Sequence, residues 1–204
     1  MRIVCLILLV ALLSGCGRRV EEPPLYTVPE RSVAPSETAA EEPIPDDPGY
    51  YINNVYPDQL REYYEGLARG WKAEDYETHG RSPLGADFRK GDPLENVGFL
   101  LEDLDGDGVR ELLIGAIRGA EESPLIFELW TLLQDEPRQV LRAEREERYF
   151  LLEGDAVIFA RETGEDPPLR RRAYRGGAFT AADVEAAPIA YKVPKFMPFC
   201  LYDP

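Results

Sequence analysis

Between the apolar runs Phe99-Leu100-Leu101 and Leu112-Leu113-Ile114, the chain carries Asp103, Asp105 and Asp107 on alternate residues, with glycines at 106 and 108. On a straight strand those three carboxylates would share one face and repel. The glycines offer a way out. They accept the positive-φ backbone that lets the chain curl, so the acids turn toward one point while the apolar runs return antiparallel. Glu111 follows at the start of the second run, placed to close a shell of oxygens, and the Val109 carbonyl can face the same centre. Asp and Gly also make good turns without any ion. Three unpaired carboxylates this close repel one another unless a cation lies among them. Hard, anionic oxygen ligands suit Ca²⁺ better than Zn²⁺ or copper.

Two calcium loops share this opening. In the helix–loop–helix EF-hand, the twelfth position is a bidentate Glu; here it is Ile114, and the flanks read as strands. The segment Asp103-Leu104-Asp105-Gly106-Asp107-Gly108-Val109-Arg110-Glu111-Leu112 instead resembles the FG-GAP or VCBS type of loop, D-x-D-G-D-G-x-x-[DE]-L, which links two β-strands. That resemblance implies side-chain ligation of Ca²⁺ by Asp103, Asp105, Asp107 and Glu111, with Val109 giving its carbonyl. The family builds propellers from many copies, and this chain carries one, so a propeller is not expected. A helix followed by such a hairpin also resembles secreted lipoproteins of the Firmicutes type.

The rest of the chain reads as α+β, an N-terminal helix packed on an antiparallel β-meander, in one domain over 50–204. Leu60, Tyr63, Tyr64, Leu67 and Trp71 recur at helical spacing over 57–76, with Pro57 and Asp58 suited to the first turn. This aromatic stripe reads as core in preference to a sugar platform. Strands are expected over 97–104, 111–118, 125–133, 138–144, 148–153, 156–161 and 169–175, separated by turn residues such as Gly176-Gly177. The Pro-interrupted aromatic tail from Pro188 is expected to return to the sheet as an irregular or edge segment.

The N-terminus gives an address. After Met1-Arg2 comes an apolar run of eleven residues, Ile3–Leu13, shorter than the ~20 a membrane-spanning helix needs. It has the length of a signal segment, and residues 1–15 are read as one. Leu13-Ser14-Gly15-Cys16 resembles a lipobox. That resemblance implies cleavage before Cys16, lipid on its thiol, and a chain held to the extracytoplasmic face of the cell membrane. Residues 16–49 hold seven prolines, many acids and few large apolar side chains, the composition of a disordered tether. The chain has 38 acidic residues against 23 basic ones, a net charge of −15, which repels phosphate and removes nucleic acid from the expected partners.

Signals for chemistry are sparse. The single histidine, His79, sits in a context that marks a helix end. Serine-elbow, zinc-helix, paired-cysteine and phosphate-loop motifs are absent from the sequence. Arg170, Arg171, Arg172 and Arg175 form a basic run that reads as a solvated or acid-paired strand face. Cys200 is expected to be a small buried hydrophobe. These features favour a binding or interaction module for a protein or glycan outside the cell. The alternative is a glycan- or envelope-directed hydrolase using a carboxylate pair, which needs an aromatic cleft with two converging acids away from the loop. The lipid expectation is checked directly: Cys16→Ala should lose both metabolic fatty-acid label and membrane fractionation, and a labelled, membrane-bound variant contradicts it.

Overall fold

The computed structural model describes residues 44–117, 125–151, 157–162, 170–181 and 192–204. The expected signal segment, Cys16 and the tether through residue 43 lie outside the described residues, as do the side chains of Arg170, Arg171, Arg172 and Arg175. The architecture is α+β, with helices preceding an antiparallel sheet of nine strands among the described residues.

Asp47 opens the helical part by accepting a hydrogen bond from the Gly49 N–H at 3.0 Å, capping the single turn α1 (Pro48–Tyr50). A π-turn, Tyr51–Val55, leads into α2 (Pro57–Arg69), whose buried face carries Leu60, Tyr63 and Leu67. The expected helix over 57–76 is broken. Gly70 takes the left-handed conformation at φ 64°, and its N–H bonds back to Leu67 while that of Trp71 bonds to Gly66 at 2.9 Å. This is the Schellman ending, which a glycine after the last turn makes inexpensive. Trp71 then folds over Gly66, where an added Cβ would lie 2.7 Å from the indole. The chain restarts as α3 (Ala73–Thr78), and α4 (Pro93–Asn96) leads into the sheet.

The strands are β1 (Val97–Glu102), β2 (Glu111–Ala116), β3 (Ile126–Leu133), β4 (Glu136–Arg142), β5 (Glu147–Leu151), β6 (Val157–Glu162), β7 (Arg170–Arg175), β8 (Ala178–Ala181) and β9 (Met197–Pro198). All seven expected strands are present, the expected ends at 118, 153, 156 and 169 lying outside the described residues; β8 and β9 are additional. The order β8-β7-β6-β5-β3-β2-β1-β9 follows a meander except at β3. There the sheet branches: Glu128 to Leu133 pair with β4, while Ile126 pairs with Tyr149 of β5.

The sheet is strongly coiled. β7 stands four places from β2 in the order, about 19 Å along a flat sheet at the usual strand spacing. Yet the Tyr174 hydroxyl of β7 reaches the Glu111 carboxylate of β2 at 3.1 Å. The sheet must curl back on itself to allow that contact.

The tail closes the opposite edge. β9 pairs with β1 at Gly98 and Phe99, as expected of an edge segment, and an added Cβ on Gly98 would meet the Met197 carbonyl oxygen at 2.4 Å. Phe199 stacks on Tyr63 at 5.8 Å and packs against Phe99 at 5.3 Å, joining α2 to the sheet. Cys200 is exposed, contrary to expectation. The tight turn Phe199–Leu201 has three residues per revolution, so the inward Phe199 sends Cys200 and Leu201 outward.

Gln134 and Asp135 link β3 to β4 with φ of 53° and 61°. Both positions are left-handed, as in the mirror-image turn that favours Asn-Gly. Left-handed backbone costs roughly 1–2 kcal/mol for an ordinary residue. The double change Gln134→Asn/Asp135→Gly should therefore raise stability by about 1 kcal/mol in urea unfolding. A lowered midpoint contradicts the assigned turn.

Candidate metal centre

The loop between β1 and β2 folds around the Asp103 carboxylate, which accepts the Gly106 N–H at 2.7 Å and the Gly108 N–H at 3.0 Å. Gly106 and Gly108 adopt φ of 77° and 89°, the curl their sequence positions demand. One carboxylate oxygen from each of Asp103, Asp105 and Glu111 falls within 4.8 Å of the others, and these three side chains can together hold a metal ion. Asp107 is not part of that group. It turns to accept the Val109 N–H at 2.8 Å.

Among the described residues, the donors that meet the triad are neutral. Glu111 is fully buried; its Oε2 accepts the Leu104 N–H at 2.8 Å, and its Oε1 accepts the hydroxyls of Thr131 at 3.0 Å and Tyr174 at 3.1 Å. Asp105 Oδ2 accepts the Gly176 N–H at 2.5 Å, while its Oδ1 is buried with no donor among the described residues. Burial pushes the Glu111 carboxyl up to about 7; its hydrogen-bond donors oppose that rise, and the nearby Asp105 charge adds to it. Burial, opposed by the Val109 N–H and reinforced by the charges of Asp105 and Asp103, likewise holds Asp107 above the ordinary carboxylate value. An orphaned buried carboxylate oxygen among like charges is a donor set suited to a hard divalent cation.

Thr131, Tyr174 and Gly176 were not legible as site residues. Thr131 comes from β3, the neighbour of β2, while Tyr174 and Gly176 come from β7 and the β7–β8 turn, which the coiling of the sheet brings to the loop.

A second buried cluster lies away from the loop. Glu128 of β3 is fully buried, accepting the Ser82 N–H at 2.7 Å, the Trp130 indole N–H at 2.8 Å and Arg81 Nη1 at 3.4 Å. Burial pushes its carboxyl up, against the Arg81 charge and these donors. Arg81, 4% exposed, also donates Nε to Glu62 at 2.9 Å and lays its guanidinium 4.7 Å from the centre of the Trp130 ring. His79 ends α3, as its context predicts, while its Nδ1 meets Glu62 at 2.8 Å and its ring stacks on Trp71 at 4.2 Å. Two carboxylates thus converge on one guanidinium. Glu128 has no solvent exposure from which to reach a substrate, so the cluster acts as a clamp tying the 81–82 segment to the sheet.

No known protein family, curated protein or solved structure matches the chain.

Glu62 generates a pH prediction. Its partial burial acts to raise the carboxyl, but hydrogen bonding and charge from Arg81, with His79, bring it below the ordinary value of 4.5. A depressed folded value contributes stability above the unfolded value and loses it as pH falls through the folded one. Wild type should exceed Glu62→Gln in stability at pH 7, and the gap should shrink as pH drops below about 4.5. A gap constant down to pH 3 contradicts the clamp's electrostatic role.

Proposed function

We propose that this chain is a lipoprotein, held by lipid on Cys16 to the extracytoplasmic face of the cell membrane. Its domain carries a structural Ca²⁺ in the β1–β2 loop and serves as a binding module for a protein or glycan outside the cell. The observation that carries the calcium reading is the convergence of Asp103, Asp105 and Glu111 with neutral donors and an orphaned, buried Asp105 Oδ1. A divalent cation supplies the missing charge. Calcium accepts six to eight oxygens in a flexible shell, so Asp107, the Val109 carbonyl and water complete the coordination in this reading.

The role is structural because Glu111, the deepest ligand, is closed off by Thr131 and Tyr174. A binding role is favoured over hydrolysis by the other buried acid, since Glu128 is enclosed by Arg81, Ser82 and Trp130. The address rests on the lipobox pattern, and among the described residues no helix is long and apolar enough to cross a membrane.

Linkage sets the size of the effect. With free Ca²⁺ at 100 times its dissociation constant, binding to the folded state adds about 2.7 kcal/mol. The melting midpoint should therefore rise with Ca²⁺ and fall with chelator, and Asp105→Asn should abolish most of that difference. Identical midpoints in both conditions for the wild type sink the calcium reading.

A further inference from the structure

Tyr51 and Tyr56 are both fully buried, and their phenols reach toward the metal loop. Tyr56 donates to the Arg110 carbonyl at 2.9 Å; Tyr51 donates to the Gly108 carbonyl at 3.5 Å. In an α-helix, residues five apart point about 140° away from each other and could not serve one loop together. Here the intervening turn is a π-turn, closed by the Tyr56 N–H on the Tyr51 carbonyl at 2.8 Å. That bonding pattern returns residue i+5 to the same side. The two rings accordingly stack 6.2 Å apart at 22°.

The carbonyls they hold belong to residues that shape the site. Gly108 gives its N–H to Asp103, and Arg110 immediately precedes Glu111. The Arg110 side chain reinforces the seat, with Nε on Asp46 at 2.6 Å and Nη1 on the Leu101 carbonyl at 3.2 Å. A π-turn is a rare form, and its effect here is to align two donors on one loop.

We propose that Tyr51 and Tyr56 are positioning residues of the cation site, so that cation binding and the seating of segment 46–56 on the β1–β2 loop are one linked equilibrium. The proposal rests on the calcium reading above. Each phenol fixes a loop carbonyl next to a ligand-bearing residue, which preorganises the triad. By reciprocity, an ion that orders the loop tightens the grip of the loop on the π-turn.

Calorimetric titration of Ca²⁺ into the full-length protein in detergent tests it, comparing wild type, Tyr56→Phe and Tyr64→Phe. Tyr56→Phe deletes one hydroxyl and should weaken Ca²⁺ binding about 5-fold, the worth of one hydrogen bond. Tyr64, whose ring meets Tyr202 at 5.9 Å, is the control and should leave the affinity unchanged. In the wild type, Ca²⁺ should slow backbone hydrogen exchange across Tyr51–Tyr56, and less so in Tyr56→Phe. A purely structural phenol would lower the melting midpoint equally with Ca²⁺ and with chelator at unchanged affinity; that result overturns the proposal alone. A wild type that gives no binding heat and no midpoint shift removes the calcium reading, and this inference with it. If Tyr56→Phe fails to fold, exchange in the wild type decides, and protection at Tyr51–Tyr56 that ignores Ca²⁺ overturns the linkage.

Discussion

The carboxylate of Glu111 is the point on which the rest of the structure turns. It lies fully buried at the root of the β1–β2 hairpin, and parts of the chain from three directions satisfy it. Leu104 comes from its own loop, Thr131 from the neighbouring strand, and Tyr174 from a strand four places away. A buried carboxylate left unsatisfied is costly, and the coil of the sheet is what delivers its most distant donor. The curvature and the site are therefore one feature. Flattening the sheet would strand Glu111, and removing Glu111 would leave the Tyr174 and Thr131 hydroxyls without their shared acceptor.

The two buried acids solve the same problem in different ways. Glu128, on the strand next to Glu111, meets a guanidinium, a backbone N–H and an indole, so its charge and lone pairs are answered inside the protein. Glu111 meets neutral donors while Asp103 and Asp105 crowd toward it. Among the described residues, a cation is supplied at the first position and not at the second. That contrast separates a finished internal clamp from a site that is electrostatically complete once an ion arrives. Acid content cannot make this distinction, because a chain of net charge −15 has carboxylates everywhere.

The fold class and the seven longer strands were legible because they depend on local pattern: apolar runs, turn residues and the glycine loop. The places where expectation failed are equally instructive. Gly66 and Gly70 lie within the 57–76 pattern, where glycine weakens a helix, but the periodicity continues through Trp71 and hides the break. The aromatic stayed on the same side because the chain folded back over Gly66 instead of continuing. Cys200 sits between two apolar neighbours, which suggests burial in a strand; a three-residue turn reverses that inference. In the site, Asp103, Asp105 and Glu111 were readable from spacing, and the loop brings those three together. Asp107 accepts the Val109 N–H through Oδ1, since an Asp two residues before an N–H closes a tight side-chain turn readily. Thr131 and Tyr174 carry no local signal at all, because their role is created by a contact 63 residues long in the case of Tyr174.

The same logic extends to the N-terminal segment. Five-residue spacing of Tyr51 and Tyr56 matches neither helix nor strand periodicity, so sequence patterning passes over the pair. Once the π-turn aligns them, segment 46–56 contacts the loop through two phenols and the Asp46–Arg110 ion pair. One loop of nine residues, 103–111, is thus gripped from the N-terminal side by Tyr51 and Tyr56 and from the far strand by Tyr174 and Gly176. Cys200 is the one cysteine among the described residues and it is free, which leaves the described domain without a disulfide. Long-range order around the loop then depends on these hydrogen bonds and on whatever neutralises the triad. An ion placed there would act as a disulfide does in other proteins, joining distant parts of the chain at one point. Unlike that of a disulfide, its contribution would depend on the free concentration of the cation.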